Sequence, residues 1–343
     1  MNEKLLNEFQ TRYADNAGVR AFHAPGRVNL IGEHTDYNGG LVLPCAIDRG
    51  THVLIRRTEA RSIRLASTNF DLVAILSPDE VGTAVGDHWI NYPMGVMVQF
   101  AKRGVNVAGI ECLYHGDIPN GAGLSSSASI NVVTAFALNE LFDCGLSTLD
   151  LVLMAQAAEN EFIGLACGVM DPYAIAMGRA GHAMALDCGS LECHQVPLSL
   201  HGHTLVVSNS NQRRELSDSG YNTRHQECVS ALEIVQQQHA VEALAALDAS
   251  NLEALAPQFA GAETAYRRAR HVVTEQARVV EACAALNAGE LARFGQLMCA
   301  SHQSLAQDFD VSTAALDALV DAALAVPGTL GSRMTGAGFG GCT

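Results

Sequence analysis

Leu5, Leu6, Phe9 and Tyr13 recur at helical spacing, which predicts a helix over 2–14 closed by Gly18. Four short runs follow at 20–23, 51–57, 62–66 and 71–76, with turn residues between them, and these read as strands. Residues 92–102 have a helical pattern closed by Gly104, and 109–115 read as a strand that runs into a glycine-rich turn. Beyond the turn, 125–142 predict a long helix. A second helix over 149–164 begins at a Ser147-x-x-Asp150 capping box. Two further strands are expected at 184–187 and 204–208. From 221 to 326 the chain is rich in Ala, Leu and Gln with helical periodicity. The first half is therefore mixed helix and strand and the remainder mostly helical. The division is placed at 1–195 and 196–343, without a linker or internal repeat to mark it.

The 343 residues are 48% hydrophobic and 17% charged, enough apolar material to rule out a disordered chain. At ~100–200 residues per domain the length suits two domains or one large one. The net charge of −15 argues against nucleic-acid partners and membrane surfaces. A single anionic ligand can still be held by local dipoles. The ten cysteines form no CxxC pair and read as small buried side chains in a reducing compartment. The first residues lack the apolar run of a signal peptide, and no apolar stretch is long enough to span a bilayer. The expectation is a soluble cytoplasmic protein.

Four segments can carry chemistry. GDIPNGAGLSSSAS at 116–129 lies between a predicted strand and a predicted helix. Its glycines let the backbone approach a ligand, and the helix behind it offers free N–H groups and the positive end of its dipole. That dipole is worth about 0.3–1 kcal/mol to an anion, and Ser125, Ser126 and Ser127 add donors. The other reading is an ordinary glycine-rich turn with a serine cap. The segment is neither a Walker A loop nor a dinucleotide fingerprint, because the required lysine and third glycine are absent.

APGRVNLIGEHTDYNGG at 24–40 crowds Glu33, His34, Thr35 and Asp36 into an otherwise apolar segment, which suits a polyhydroxyl ligand. A metal site and a solvated loop are the alternatives there, the first without a supporting ligand spacing. CGVMDP at 167–172 places a lone carboxylate, Asp171, among apolar residues. Its options are a base, a metal ligand, a salt bridge or a helix cap before Pro172, and taken alone it favours the cap. RMTGAGFGGCT at 333–343 reads as a second glycine-rich wall of a ligand site.

Together these segments resemble the galactokinases of the GHMP small-molecule kinase superfamily. The resemblance rests on GRVNLIGEHTDYNGG at 26–40, on PNGAGLSSSA at 119–128, on 168–171 and on GAGFGG at 336–341. Asn209-Ser210-Asn211 and Tyr221-Asn222-Thr223-Arg224 also look like family segments. It implies an α+β, two-domain GHMP fold, with an N-terminal domain like ribosomal protein S5 and a helix-rich α/β C-terminal domain. It implies ATP-dependent phosphorylation of α-D-galactose at C1. Asp171 would be the catalytic base and Arg27 its partner and transition-state stabiliser. Glu33, His34, Thr35, Asp36, Gly168 and Tyr221 would bind the sugar. Gly121, Ala122, Gly123, Leu124, Ser125, Ser126 and Ser127 would wrap the ATP phosphates, and Ser127 with Glu159 would hold Mg²⁺. A monomer binding galactose and ATP is expected.

The alternatives are another sugar-1-kinase, such as one for N-acetylgalactosamine, and a non-catalytic sensor of galactose and ATP. Two departures from the family pattern are present. Position 172 is Pro where Gln is common, implying a differently shaped wall beside Asp171. The resemblance also implies further strand and helix elements past the last motif, so the expectation is that this 343-residue sequence folds and turns over poorly.

Overall fold

The computed structural model describes residues 3–86, 88–119, 121–212 and 217–343. Helix α1 (Glu3–Tyr13) leads into β1 (Arg20–Asn29), a two-residue β2 (Leu41–Val42), β3 (Pro44–Arg57), β4 (Ile63–Ser67) and β5 (Ala74–Leu76). Helix α2 (Asn91–Lys102), β6 (Ile110–Gly116), α3 (Ser126–Leu141) and α4 (Thr148–Ala157) follow. Then come α5 (Met170–Met177), β7 (His182–Asp187) and β8 (Cys193–Pro197). The remaining helices are α6 (Ser217–Gln236), α7 (Ala249–Ala254), α8 (Glu263–Ala288), α9 (Leu291–Ser304) and α10 (Ala314–Leu324).

Five strands form one sheet in the order β1-β3-β6-β4-β5, and β2-β7-β8 form a second. Alternation along β3 divides the core. Val53 and Ile55 pack with Met94, Phe100 and Val132 from α2 and α3. Leu54, between them, packs with Leu5, Phe9 and Tyr13 of α1 on the opposite face. The apolar stripe predicted for 2–14 is thus the seam that covers this sheet. A third cluster joins Leu30, Ile31 and Leu43 to Val279 and Ala282 of α8 and Leu297 of α9, so apolar contacts cross the 195/196 division.

The capping box forms as expected. Ser147 Oγ accepts from Asp150 N, and the Asp150 carboxylate accepts from Ser147 N, each at 3.1 Å. The helix it starts is shorter than predicted: after Ala157 the backbone widens into a π-helical turn over Ala158–Ile163. The strand expected at 204–208 does not form. Leu205, Val206 and Val207 have strand propensity, but Val206 is 74% exposed, and a strand is stabilised by cross-strand pairs rather than by propensity alone. Ser208 pairs with Thr343, its N donating to Thr343 O at 2.9 Å, and just past the run Asn209 forms an isolated bridge with Cys342 and Ser210 N reaches Gly341 O at 2.8 Å. The run at 71–76 is a strand only at Ala74–Leu76, and β2 and β8 were not anticipated. All ten cysteines are free, and among the described residues no helix is long and apolar enough to cross a membrane.

Candidate active site

A single cleft collects most of the chemistry. Its walls include Arg27 and Asp171, the three serines Ser125, Ser126 and Ser127, Glu159, and Glu33, His34, Asp36, Tyr221 and Gly336. Strand β1 delivers Arg27 through a bulge: its pairing with β3 slips between Pro25 and Arg27. Bulges re-aim side chains next to active sites. Arg27 Nε and Nη2 meet Asp171 Oδ1 and Oδ2 at 2.7 and 2.8 Å, a fork against both carboxylate oxygens, while Nη1 donates to Gly123 O at 2.7 Å. Arg27 is 4% exposed. Burial opposes its charge, but Asp171, then Glu33 and Asp36, outweigh that and hold its pKa above the ordinary value.

This arrangement corrects the helix-cap reading of Asp171. Val169 caps α5, with no side-chain cap, and Asp171 lies one residue inside the helix. Its carboxylate is committed to Arg27 and to the Ser125 hydroxyl. Ser125 does precede α3 as its cap residue, in the left-handed conformation with φ +60°, but makes no side-chain cap bond. Its hydroxyl turns to Asp171, leaving the first turn of α3 to present N–H groups and the Ser126 and Ser127 hydroxyls to the cleft. Ala122 and Leu124 do not share that role. Their side chains pack in the apolar cluster with Val28 and Ile118, so only their backbone belongs to the loop.

Glu159 enters the cleft from the π turn, a helix irregularity common at functional sites. It is 6% exposed, accepts from Asn131 Nδ2 at 3.1 Å and from the Cys167 thiol at 3.3 Å, and contacts the Ser127 hydroxyl. Burial, then the charge of Asp171, pushes its pKa up to about 7. Asp36, which also lines the cleft, is likewise pushed up to about 7 by burial and then by Asp171. A Cβ on residue 168 would lie 2.0 Å from Asp36 Oδ2, so glycine there is what lets the Asp36 carboxylate occupy its place.

The 33–36 residues differ in what they offer. Glu33, 1% exposed, accepts from Gly336 N at 2.7 Å, Thr335 Oγ1 at 3.2 Å and Arg333 Nη1 at 3.3 Å. All three bonds fall on Oε1. His34 lines the cleft, yet its Nδ1 pairs with Tyr37 Oη at 2.8 Å and its Nε2 with Ala337 O at 3.1 Å. It offers the site a ring face, packed near Tyr221, more than a free nitrogen. Thr35 departs from its expected sugar role. It is fully buried, and its hydroxyl lies 2.9 Å from Gly32 O and 2.8 Å from Leu41 O, its single proton shared between the two carbonyls that close the turn.

Residues that the sequence did not single out hold this loop. Gly32 N donates to Glu275 Oε1 at 2.9 Å, His271 Nε2 lies 3.0 Å from Glu33 O, and Leu41 N donates to Gln276 Oε1 at 2.7 Å. Gly32 has φ +93°, and a Cβ there would sit 2.7 Å from Leu41 O. Burial alone raises the Glu275 pKa, but Arg278, His271 and Arg333 outweigh it and bring the group down to about 2. Burial lowers His271 to about 4, leaving it neutral near pH 7. The available signal was two polar residues, 271 and 275, one turn apart on the apolar face of a helix.

The galactokinase galactose-binding signature matches residues 7–57, the GHMP kinase N-terminal domain 91–179 and the GHMP kinase C-terminal domain 279–343. The chain is similar to a galactokinase of Halalkalibacterium halodurans, 46% identical over 99% of this chain and 87% of that one. A galactokinase of Bacillus subtilis is 44% identical over 100% and 88%. The crystal structure of Lactococcus lactis galactokinase complexed with galactose superposes with a TM-score of 0.96 at 40% identity, covering 99% of this chain and 88% of that one. Methanococcus jannaschii mevalonate kinase shares the fold, at a TM-score of 0.69 and 19% identity.

Proposed function

The chain belongs to the galactokinase family and has its two-domain α+β GHMP fold, and from that we propose that it transfers the γ-phosphoryl group of ATP to the C1 hydroxyl of α-D-galactose. The C1 oxygen forms a bond to the γ-phosphorus, the bond from that phosphorus to the β,γ-bridging oxygen breaks, and ADP leaves. The C1 hydroxyl proton goes to the Asp171 carboxylate. The observation that carries this reading is the Arg27–Asp171 fork set against the first turn of α3 in one cleft.

Phosphoryl transfer has a loose transition state, so its catalysis is mainly positioning and charge stabilisation. Arg27 orients Asp171 through both guanidinium contacts and supplies positive charge beside the transferring group. The first-turn N–H groups of α3, with Ser126 and Ser127, face the phosphates at the positive end of the helix dipole. Asp171 takes its proton as the new oxygen–phosphorus bond forms, with a general-base share of about 10²–10⁴-fold. Asp36 and the second oxygen of Glu33 accept from sugar hydroxyls, the Gly168 backbone and Tyr221 complete that wall, and His34 supports it. A sugar of the wrong configuration leaves such buried acceptors unpaired, a strong discriminator.

The chemistry of the donors suits Mg²⁺. Glu159 and Ser127 offer hard oxygens, and the raised pKa of Glu159 marks a buried carboxylate short of positive charge. Glu159 and Ser127 would supply two oxygens and leave the rest of the ion's shell to water and phosphate oxygens. Bound there, Mg²⁺ would neutralise charge on the triphosphate.

ADP release, measured with galactose, glucose, N-acetylgalactosamine and mevalonate and with the product identified by phosphorus NMR, tests the reading. Galactose is expected to be the preferred acceptor, giving a 1-phosphate. Preference for N-acetylgalactosamine would replace it with the related sugar kinase. Binding of galactose and ATP without turnover would replace it with a sensor.

A further inference from the structure

The sugar-facing segment 30–40 lies between β1 and β2 and forms no strand of its own. Its main chain is turned at Gly32 (φ +93°), His34 (φ +60°) and Gly39 (φ +68°), so its shape depends on what holds its amides and carbonyls. The residues that hold it sit on one face of α8. His271 reaches the carbonyl of Glu33, Glu275 accepts the amide of Gly32, and Gln276 accepts the amide of Leu41. These contacts bracket the turn from 32 to 41. They are themselves braced: Ser301 of α9 donates to Glu275 Oε1 at 2.6 Å, Arg278 donates to Oε2 at 2.6 Å, and His271 Nδ1 lies 2.8 Å from Ser304 Oγ. None of the three gripping side chains lines the cleft.

We propose that His271, Glu275 and Gln276 are positioning residues for the sugar: one face of α8 sets the backbone path of 32–41 and thereby galactose affinity and selectivity. This rests on galactose being the substrate held by Glu33 and Asp36. The grip acts on the Glu33 carbonyl itself and on main-chain amides before Glu33 and after Asp36, so loosening it moves both carboxylates and leaves the α3 phosphate loop untouched. Small displacements of binding groups remote from the chemistry are costly because oriented contacts depend on sub-ångström placement.

The test compares the full chain with Glu275→Ala, Glu275→Gln and Gln276→Met, by steady-state kinetics in each substrate and by thermal melting. Glu275→Ala is expected to raise the galactose KM about tenfold or more, with the ATP KM changed by less than about twofold. Its preference for galactose over glucose should narrow. Glu275→Gln keeps an oxygen for Gly32 N and Ser301 and should restore most of the galactose KM. Gln276 is only partly buried, so Gln276→Met should fold and raise the galactose KM about threefold or more. If Glu275→Ala does not fold, Gln276→Met decides. A lowered melting temperature with unchanged galactose KM and selectivity would overturn the proposal and leave a structural role. So would a parallel rise in both KM values. A wild-type chain that binds no galactose in calorimetry would overturn the substrate reading beneath it.

Discussion

The meaning of a single side chain here depends on its partners. Asp171 follows three apolar residues and precedes a proline, a context that suits a cap, but Arg27 arrives 144 residues away in sequence and turns it into one half of a fork. Asp171→Asn keeps the shape and removes the proposed proton acceptor. Turnover should fall by about 10²–10⁴-fold while galactose and ATP still bind by calorimetry. A variant that turns over normally would remove Asp171 from the mechanism. Thr35 and His34 teach the complementary lesson. They stand in the most chemical-looking stretch of the chain, yet their polar atoms are spent on Gly32, Leu41, Tyr37 and Ala337.

At the scale of elements, close approach decides which helices can brace the site. In α9, Gly295 meets the 330–331 backbone: a Cβ there would lie 2.1 Å from Leu330 O. Two competing effects act on Gly295→Ala. Helix propensity favours alanine by about 1 kcal/mol, while overpacking against rigid backbone costs about 1–3 kcal/mol. The clash is with backbone and cannot be relieved by rotamer change, so the substitution should destabilise. The same helix carries Ser301 to Glu275 and His302 to Met334 N, so the galactose KM should rise as well. Chemical denaturation and substrate kinetics check both. An unchanged midpoint would mean that 330–331 yields without cost. The capping box of α4 is a purely local case: Ser147→Ala should lose about 1 kcal/mol and leave both KM values unchanged.

Across the whole molecule, the cleft concentrates negative charge in a chain whose net charge is already −15. Asp36 and Glu159 both titrate near 7 in the folded protein, above their ordinary values near 4. Between those values the unfolded chain has lost the two protons and the folded chain still holds them, so this contribution to stability is full below about 4 and is lost as pH rises toward 7. The buried, neutral His271 acts in the opposite direction between about 4 and 6.5, so wild type alone gives a mixed profile. The difference from a variant is cleaner. Without ligands, Asp36→Asn and Glu159→Gln should each gain stability relative to wild type between pH 5 and 7. The gain is at most about 1.4 kcal/mol per pH unit for each group. Galactose, or Mg²⁺ with ATP, should shrink the gain by making the charged form useful. A difference independent of pH would show that neither carboxylate carries a raised pKa.

Contiguous features were legible in the sequence. The segment 26–40, the glycine–serine loop before α3, the Ser147 capping box and the apolar stripe of α1 each lie within a few turns of chain, where local sterics, dipoles and periodicity act. Family and reaction followed because the chemistry-bearing segments are short and unbroken. Tertiary structure alone settled what depends on distant partners. It split the 149–164 helix at a π turn so that Glu159 enters the cleft. It left 204–208 outside any strand, since propensity cannot supply the neighbouring strand. It fixed the two-pronged geometry of the Arg27–Asp171 pair that the family resemblance implied, and it placed α8 against the 32–41 segment across 243 residues from Gly32 to Glu275. A hydrogen bond of that span has no periodicity to announce it. It forms only because burial of Val279 against Gly32, and of the apolar cluster around them, brings the two segments together.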